Sequence, residues 1–145
     1  MMHGMTSIVK TVARIVVGVI FLYGVYIITH GHLTPGGGFA GGAVIAGAFV
    51  LLVLAFGSDV LKLKVREAGS STFESLSIMA FLLLAAGALF IGTHVFFHNY
   101  LPKGKVGELI SAGVIPLYNI AVGVEVAAAL VTIFLALVIY KEESK

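Results

Sequence analysis

Residues 115 to 140 read IPLYNIAVGVEVAAALVTIFLALVIY, an apolar run from Ile115 to Tyr140 that carries one acidic residue, Glu125, near its middle. The run exceeds the ~20 residues that an α-helix needs to cross about 30 Å of hydrocarbon. It lacks the period-2 alternation of a barrel strand, so it reads as a membrane-spanning helix. A carboxylate at such depth is unfavourable by about 2.5 to 3.5 kcal/mol on insertion scales, which makes Glu125 the leading candidate for a functional residue.

Three further runs of the same character precede it. The spans are placed at 11–29, 39–56, 75–97 and 115–140, and they leave no loop long enough to fold as a separate catalytic unit. Composition agrees: 59% of residues are hydrophobic and 11% charged, with a mean hydropathy of +1.10, whereas soluble domains carry about 25% charged residues. The chain of 145 residues is therefore expected to be an all-α integral membrane protein, one four-helix domain over its whole length. It contains no cysteine, which removes disulfides, thiolate nucleophiles and thiolate metal sites together.

Charge sets the expected orientation. Lys10 and Arg14 precede the first span, Lys62, Lys64 and Arg66 separate the second from the third, and Lys141 and Lys145 follow the fourth. Only Lys103 and Lys105 fall on the other side, so the positive-inside rule places both termini in the cytoplasm. The first span is expected to be retained rather than cleaved as a signal peptide, because no small-x-small site follows it.

Between the first two spans the chain reads HGHLTPGGGFAGG from His30 to Gly42. No strand and no GxxxxGK[ST] pattern accompanies these glycines, so a nucleotide cradle is not expected. Thr34 followed by Pro35 has the form of an N-cap and first helical residue. Gly36, Gly37 and Gly38 would then fall in the first helical turn, each opposing helix propensity by ~1 kcal/mol. Two explanations stand side by side. Gly38, Gly42 and Ala46, together with Ala43 and Gly47, form small-xxx-small rows that let another backbone approach. Alternatively, Gly36 to Phe39, with Gly41 and Gly42, form an irregular helix start lining a polar cavity.

This motif resembles the signature of the MnhB/MrpB family, small membrane subunits of Mrp-type multisubunit sodium/proton antiporters. The segment SAGVIPLYNIAVGVE from Ser111 to Glu125 is similar to the family's last-helix region. The resemblance extends over essentially the whole chain. It implies a multi-pass subunit of a prokaryotic cell membrane, with several other membrane subunits of a hetero-oligomeric antiporter-type complex as partners and Na+ and H+ as the transported ions. The same module occurs in membrane-bound hydrogenases and related ion-translocating respiratory complexes, so the resemblance leaves the parent complex open.

On a helical wheel Glu125 shares its face with Tyr118, Ala121, Val122, Ala128, Ala129 and Thr132, so it is expected to face another helix rather than lipid. Every Lys and Arg lies near or beyond a helix end, which leaves no basic partner within the chain. Glu125 can then be protonated, solvated in a water path, or paired with a cation from a neighbouring subunit; a neutral carboxyl making one interhelical hydrogen bond is the simplest case. Asn119, in the outer part of the same span, needs a hydrogen-bond partner and can bridge helices or line a water path. With Thr34, His30 and His32 it completes the set of ion-path candidates.

His94 and His98 stand at i, i+4 on the expected third helix, a spacing that weakly suggests metal ligands. No carboxylate completes a site, and no metal, cofactor or nucleic acid is expected. Glu74, expected at the cytoplasmic start of the third helix, suits the positive end of the helix dipole or the mouth of an ion route. The segment Leu101 to Val114 reads as an interfacial loop or short helix. Three functions remain: a non-redox subunit of an ion-translocating assembly, a structural scaffold between transporting subunits, or a stand-alone transporter or enzyme. The last lacks an inverted repeat, a second buried charge and any catalytic constellation.

Overall fold

The computed structural model describes residues 5–57, 63–91 and 95–143. Four α-helices follow in order: α1 (Ser7–His30), α2 (Gly37–Phe56), α3 (Leu63–Phe90) and α4 (Ile115–Glu143). Each contains a segment long and apolar enough to cross a membrane: Ser7–His30, Gly37–Phe56, Gly69–Phe90 and Ile115–Tyr140. The chain is thus an all-helical, multi-pass membrane protein, with no strand among the described residues. In space α1 packs on α2, α2 on α4 and α4 on α3, with a lighter contact between α1 and α4.

Lipid tails are as apolar as leucine, so burial of apolar surface cannot drive these helices together, and close backbone approach must. Glycine supplies it. On one side of α2, a Cβ at Gly42 would lie 2.6 Å from the Gly123 carbonyl oxygen, and one at Gly38 would overlap the Asn119 carbonyl. On its other side, a Cβ at Gly41 would lie 2.8 Å from the Gly24 oxygen, while one at Gly24 would meet Ile45 at 2.6 Å. Ile28 enters where the three helices meet: its side chain lies 2.5 Å from the Cβ positions of both Gly41 and Gly123, and it is 6% exposed. Toward the opposite end of α2 and α4, Val53, Leu135 and Val138 form a small apolar core, against which Leu52 and Phe134 pack.

The third helix departs most from its expected span. It begins at Leu63 and ends at Phe90, not near Phe97, so Glu74 lies about three turns inside the helix rather than at its start. The dipole role expected for Glu74 is therefore not available. Past the helix, Phe97 adopts φ 58°, and the chain to Val114 contains turns but no helix among the described residues. His98 lies in this non-helical segment and His94 falls outside the described residues, so α3 does not carry the expected pair on one face. The Asn99 side chain latches the segment: its Nδ2 donates to the Ala112 carbonyl (3.1 Å) and its Oδ1 accepts from the Val114 N–H (2.9 Å). Val114 is 1% exposed. Asn99→Ala leaves the Val114 N–H without its acceptor and the Ala112 carbonyl with only the long 3.4 Å bond from the Ile115 N–H, and a loss of about 1–3 kcal/mol is expected, read as a lower thermal midpoint of the purified protein.

Candidate functional site

Glu125 projects from α4 toward α3. It is half-buried and lines a cavity of about 220 Å³ with Ser77, Ile78 and Phe81 of α3 and Ala121 and Val122 of α4. From Ile115 to Glu125 the helix rises roughly 15 Å and from Glu125 to Tyr140 roughly 22 Å, which places the carboxyl near mid-membrane. No described hydrogen bond or ion pair engages it. Ser77, the polar neighbour in the cavity, is 6% exposed, and its hydroxyl donates to the carbonyls of Phe73 (2.7 Å) and Glu74 (3.0 Å). A serine hydroxyl retains acceptor lone pairs while donating, so Ser77 can still accept a hydrogen bond from a protonated acid or a water.

Above the cavity, on the same face of α4, stands a group of aromatic rings. Tyr118 packs on Phe81 with centroids 5.1 Å apart and on Phe97 at 5.8 Å, and Phe81 meets Phe97 at 5.8 Å. The Tyr118 hydroxyl is sealed from solvent and has no hydrogen-bond partner among the described residues. Residue patterning alone does not single out Ser77, one of several α3 hydroxyls, or Phe97, which belongs to no helix. Only their contacts with Phe81, Tyr118 and the Glu125 chamber give them a place.

The remaining candidates gather elsewhere, around the connection from α1 to α2. Thr34 does not cap α2: its N–H and its hydroxyl both donate to the His30 carbonyl (2.9 and 3.1 Å), closing the end of α1. Pro35 likewise precedes the helix, which starts at Gly37 after Gly36 as N-cap. Gly36 (φ 136°) and Gly37 (φ 72°) occupy backbone regions that side chains disfavour, and this delays the helix start. The glycine motif therefore divides: its first pair permits an irregular turn, whereas Gly38, Gly41 and Gly42 are buried at helix contacts. Gly47, expected in a packing row, is exposed with open space at its Cβ position, and Phe39 is exposed.

His30 stacks on Tyr26 at 4.1 Å, with Nδ1 3.1 Å from the Tyr26 carbonyl and 3.1 Å from the Thr29 hydroxyl. The His32 ring nitrogens and Asn119 Nδ2 are sealed and unpartnered among the described residues. Asn119 faces the crease between Gly31 and Gly37: its Oδ1 lies 3.5 Å from the Gly37 Cβ position and its Nδ2 2.9 Å from that of Gly31. Six residues separate Asn119 from Glu125, roughly 9 Å of rise and about 240° of turn. The two side chains accordingly serve different faces of α4, one toward the α1–α2 connection and one toward α3. The structure does not bring the acid and the outer polar residues into one cavity.

Among the described residues no group of three or more His, Asp or Glu side chains is placed to hold a metal.

Comparison with known proteins accords with this architecture. A family model described as a domain related to the MnhB subunit of Na+/H+ antiporter matches residues 8–132. An uncharacterized protein of Methanocaldococcus jannaschii is 40% identical over 134 residues, covering 88% of this chain and 50% of the relative. A proposed antiporter subunit, mnhB2 of Staphylococcus haemolyticus, is 34% identical over 135 residues, covering 90% of this chain and 92% of the relative. In a solved structure, a chain of the membrane-bound sulfane sulfur reductase, an archaeal respiratory membrane complex, matches with a TM-score of 0.70 and 34% identity, covering 89% of this chain and 56% of that one. The chain thus spans about half the length of the Methanocaldococcus protein and of the reductase chain. With most of its length matched by that model, the chain belongs to the family of domains related to the MnhB subunit of Na+/H+ antiporters.

Proposed function

We propose that this chain is a non-redox subunit of a multisubunit Na+/H+ antiporter module in a prokaryotic cell membrane, with no catalytic centre of its own, and that Glu125 forms part of an ion route beside it. The observation that carries this reading is the Glu125 cleft: a half-buried carboxyl near the middle of its span, on the side of α4 that meets α3, with room for water and no basic side chain in its lining. A carboxyl group can bind either a proton or a Na+, and ionisable residues within membrane spans mark ion routes. The His32 ring nitrogens and Asn119 Nδ2, sealed without partners among the described residues, can serve water or a neighbouring subunit at the α1–α2 connection. Exchange by membrane vesicles containing the complex with Glu125→Gln tests the proposal: loss of exchange with full assembly supports it, and unchanged exchange overturns it.

A second reading is favoured by the likeness to the sulfane sulfur reductase chain, in which the same subunit serves a redox-driven ion-translocating complex. Both readings place the termini in the cytoplasm. The N–H of Met5 bonds to the Ala55 carbonyl at 3.0 Å, so the start of the chain and the end of α2 share one side of the bundle, where Lys10 and Arg14 also stand. In intact cells a membrane-impermeant thiol reagent is expected to label Lys103→Cys and to spare Met5→Cys; the reverse pattern inverts the topology.

A further inference from the structure

The third helix brings a second acid into the membrane. Of the seven acidic residues in the chain, only Glu74 and Glu125 fall within the apolar segments Gly69–Phe90 and Ile115–Tyr140, and those segments belong to helices that pack on each other. Every residue from Ser71 to Ala80 is exposed except Glu74, which is half-buried, and Ser77, which is buried. Ser70, Glu74, Ser77 and Phe81 follow one another at helical spacing, so they form the stripe of α3 that meets α4. A carboxyl held at a helix contact inside the hydrocarbon is unfavourable unless it serves a function.

Two contacts fix the register of the helices. The Ser70 hydroxyl donates to the Ala128 carbonyl at 2.8 Å, and Phe81 meets Tyr118 with ring centroids 5.1 Å apart. From Ser70 to Phe81 α3 rises roughly 16 Å, and from Ala128 back to Tyr118 α4 rises roughly 15 Å, so the two antiparallel helices stay in step between these contacts. Glu74 is one turn from Ser70 and Glu125 one turn from Ala128, which sets both acids at the same level of the interface. Side chains lean toward the N-terminus of their helix, and these helices run in opposite directions. The Glu74 carboxyl is thus drawn toward the start of α3 and the Glu125 carboxyl toward the start of α4, so the two are successive stations along the interface. Ser77 joins them: it shares the cleft with Glu125, and its hydroxyl donates to the Glu74 carbonyl at 3.0 Å. At the outer end of the same interface the Tyr118 hydroxyl, sealed and without a partner among the described residues, marks a place for an ordered water.

We propose that Glu74 is a second proton-carrying residue, in series with Glu125 on one route along the α3–α4 interface; this rests on the role given to Glu125 above. In the transfer an O–H bond breaks at the Glu125 carboxyl and one forms at the Glu74 carboxylate by way of intervening water, so the negative charge passes to Glu125 as the proton passes to Glu74. Glu74 then releases the proton toward the side on which α3 begins. Everted vesicles carrying the intact complex test this, with Na+-dependent proton movement and subunit composition measured on the same membranes. Glu74→Gln is expected to slow exchange by roughly tenfold or more with every subunit present, and Glu74→Asp, which still titrates, to recover part of the rate. If Glu74→Gln does not assemble, Glu74→Asn takes its place. Full exchange in the amide variant beside slow exchange in Glu125→Gln overturns this inference and leaves the role of Glu125 standing, whereas full exchange in Glu125→Gln overturns both. A Glu74→Asp rate no higher than that of the amide also overturns it, because a titrating group would then make no difference.

Discussion

Gly38→Ala combined with Gly42→Ala is expected to reduce the amount of this chain held in its membrane complex at least tenfold. At Gly38 the added methyl would overlap the Asn119 carbonyl and stand 3.0 Å from Val122 Cβ; at Gly42 it would lie 2.6 Å from the Gly123 carbonyl and 3.0 Å from Val126 Cβ. Two of these four neighbours are helical backbone and the other two are Cβ atoms fixed to it, so they yield only if α2 and α4 separate. Overpacking of this kind is unfavourable by about 1–3 kcal/mol per site, and the two sites lie one turn apart on a single contact. Each ~1.4 kcal/mol is a factor of ten in an equilibrium, so even the lower bounds summed exceed one decade. Gly47→Ala is the control on the same helix. Its Cβ meets nothing, and helix propensity improves by up to about 1 kcal/mol, so its level should match or exceed the parent's. Quantitative immunoblotting of the purified complex separates these outcomes, and normal assembly of the double variant would show that α2 and α4 do not approach as closely as described.

Glu125→Gln carries the larger functional effect. The amide matches the carboxylic acid in size and still donates and accepts hydrogen bonds, but it cannot take up or release a proton. If the side chain only bridges helices, the variant behaves as the parent. If it hands on protons, the loss is expected to be about a hundredfold, within the range found for positioned proton-transfer groups. Dye-monitored Na+-dependent proton movement in everted vesicles measures it, with subunit stoichiometry checked on the same membranes. Glu125→Asp, which titrates but reaches less far into the chamber, is expected to retain part of the activity. That partial rescue is the outcome a packing role does not produce.

The four helices were legible because hydrocarbon imposes a length of about 20 apolar residues that few other constraints mimic. Their ends were less so. Thr34-Pro35 carries the local signature of a helix start, yet the unusual backbone angles of Gly36 and Gly37 postpone the helix to Gly37. At the third helix hydropathy misleads at both ends: the polar residues from Leu63 onward belong to the helix, while Phe96 and Phe97 are apolar but lie beyond it. Glycine spacing pointed to close packing, but it does not reveal that Gly41 faces α1 while Gly38 and Gly42 face α4. Within the site, the acid and its small-residue face can be read from the sequence. That Asn119 turns to another side, and that Ser77 lies in the chamber, depends on which helices become neighbours.

Ile28, wedged against two glycines on two other helices, has a mechanical consequence. Tilting α1 drives that side chain into α2 and α4 at once, so these three helices are locked into one stiff block. The third helix stands outside this wedge, since among the described residues its packing is on α4, with at most a marginal contact to the other two helices. Its seam with α4 is where Glu125 resides. A push from a neighbouring subunit on α3 would therefore be felt first as a change in the space around that carboxyl, with the rest of the scaffold undisturbed.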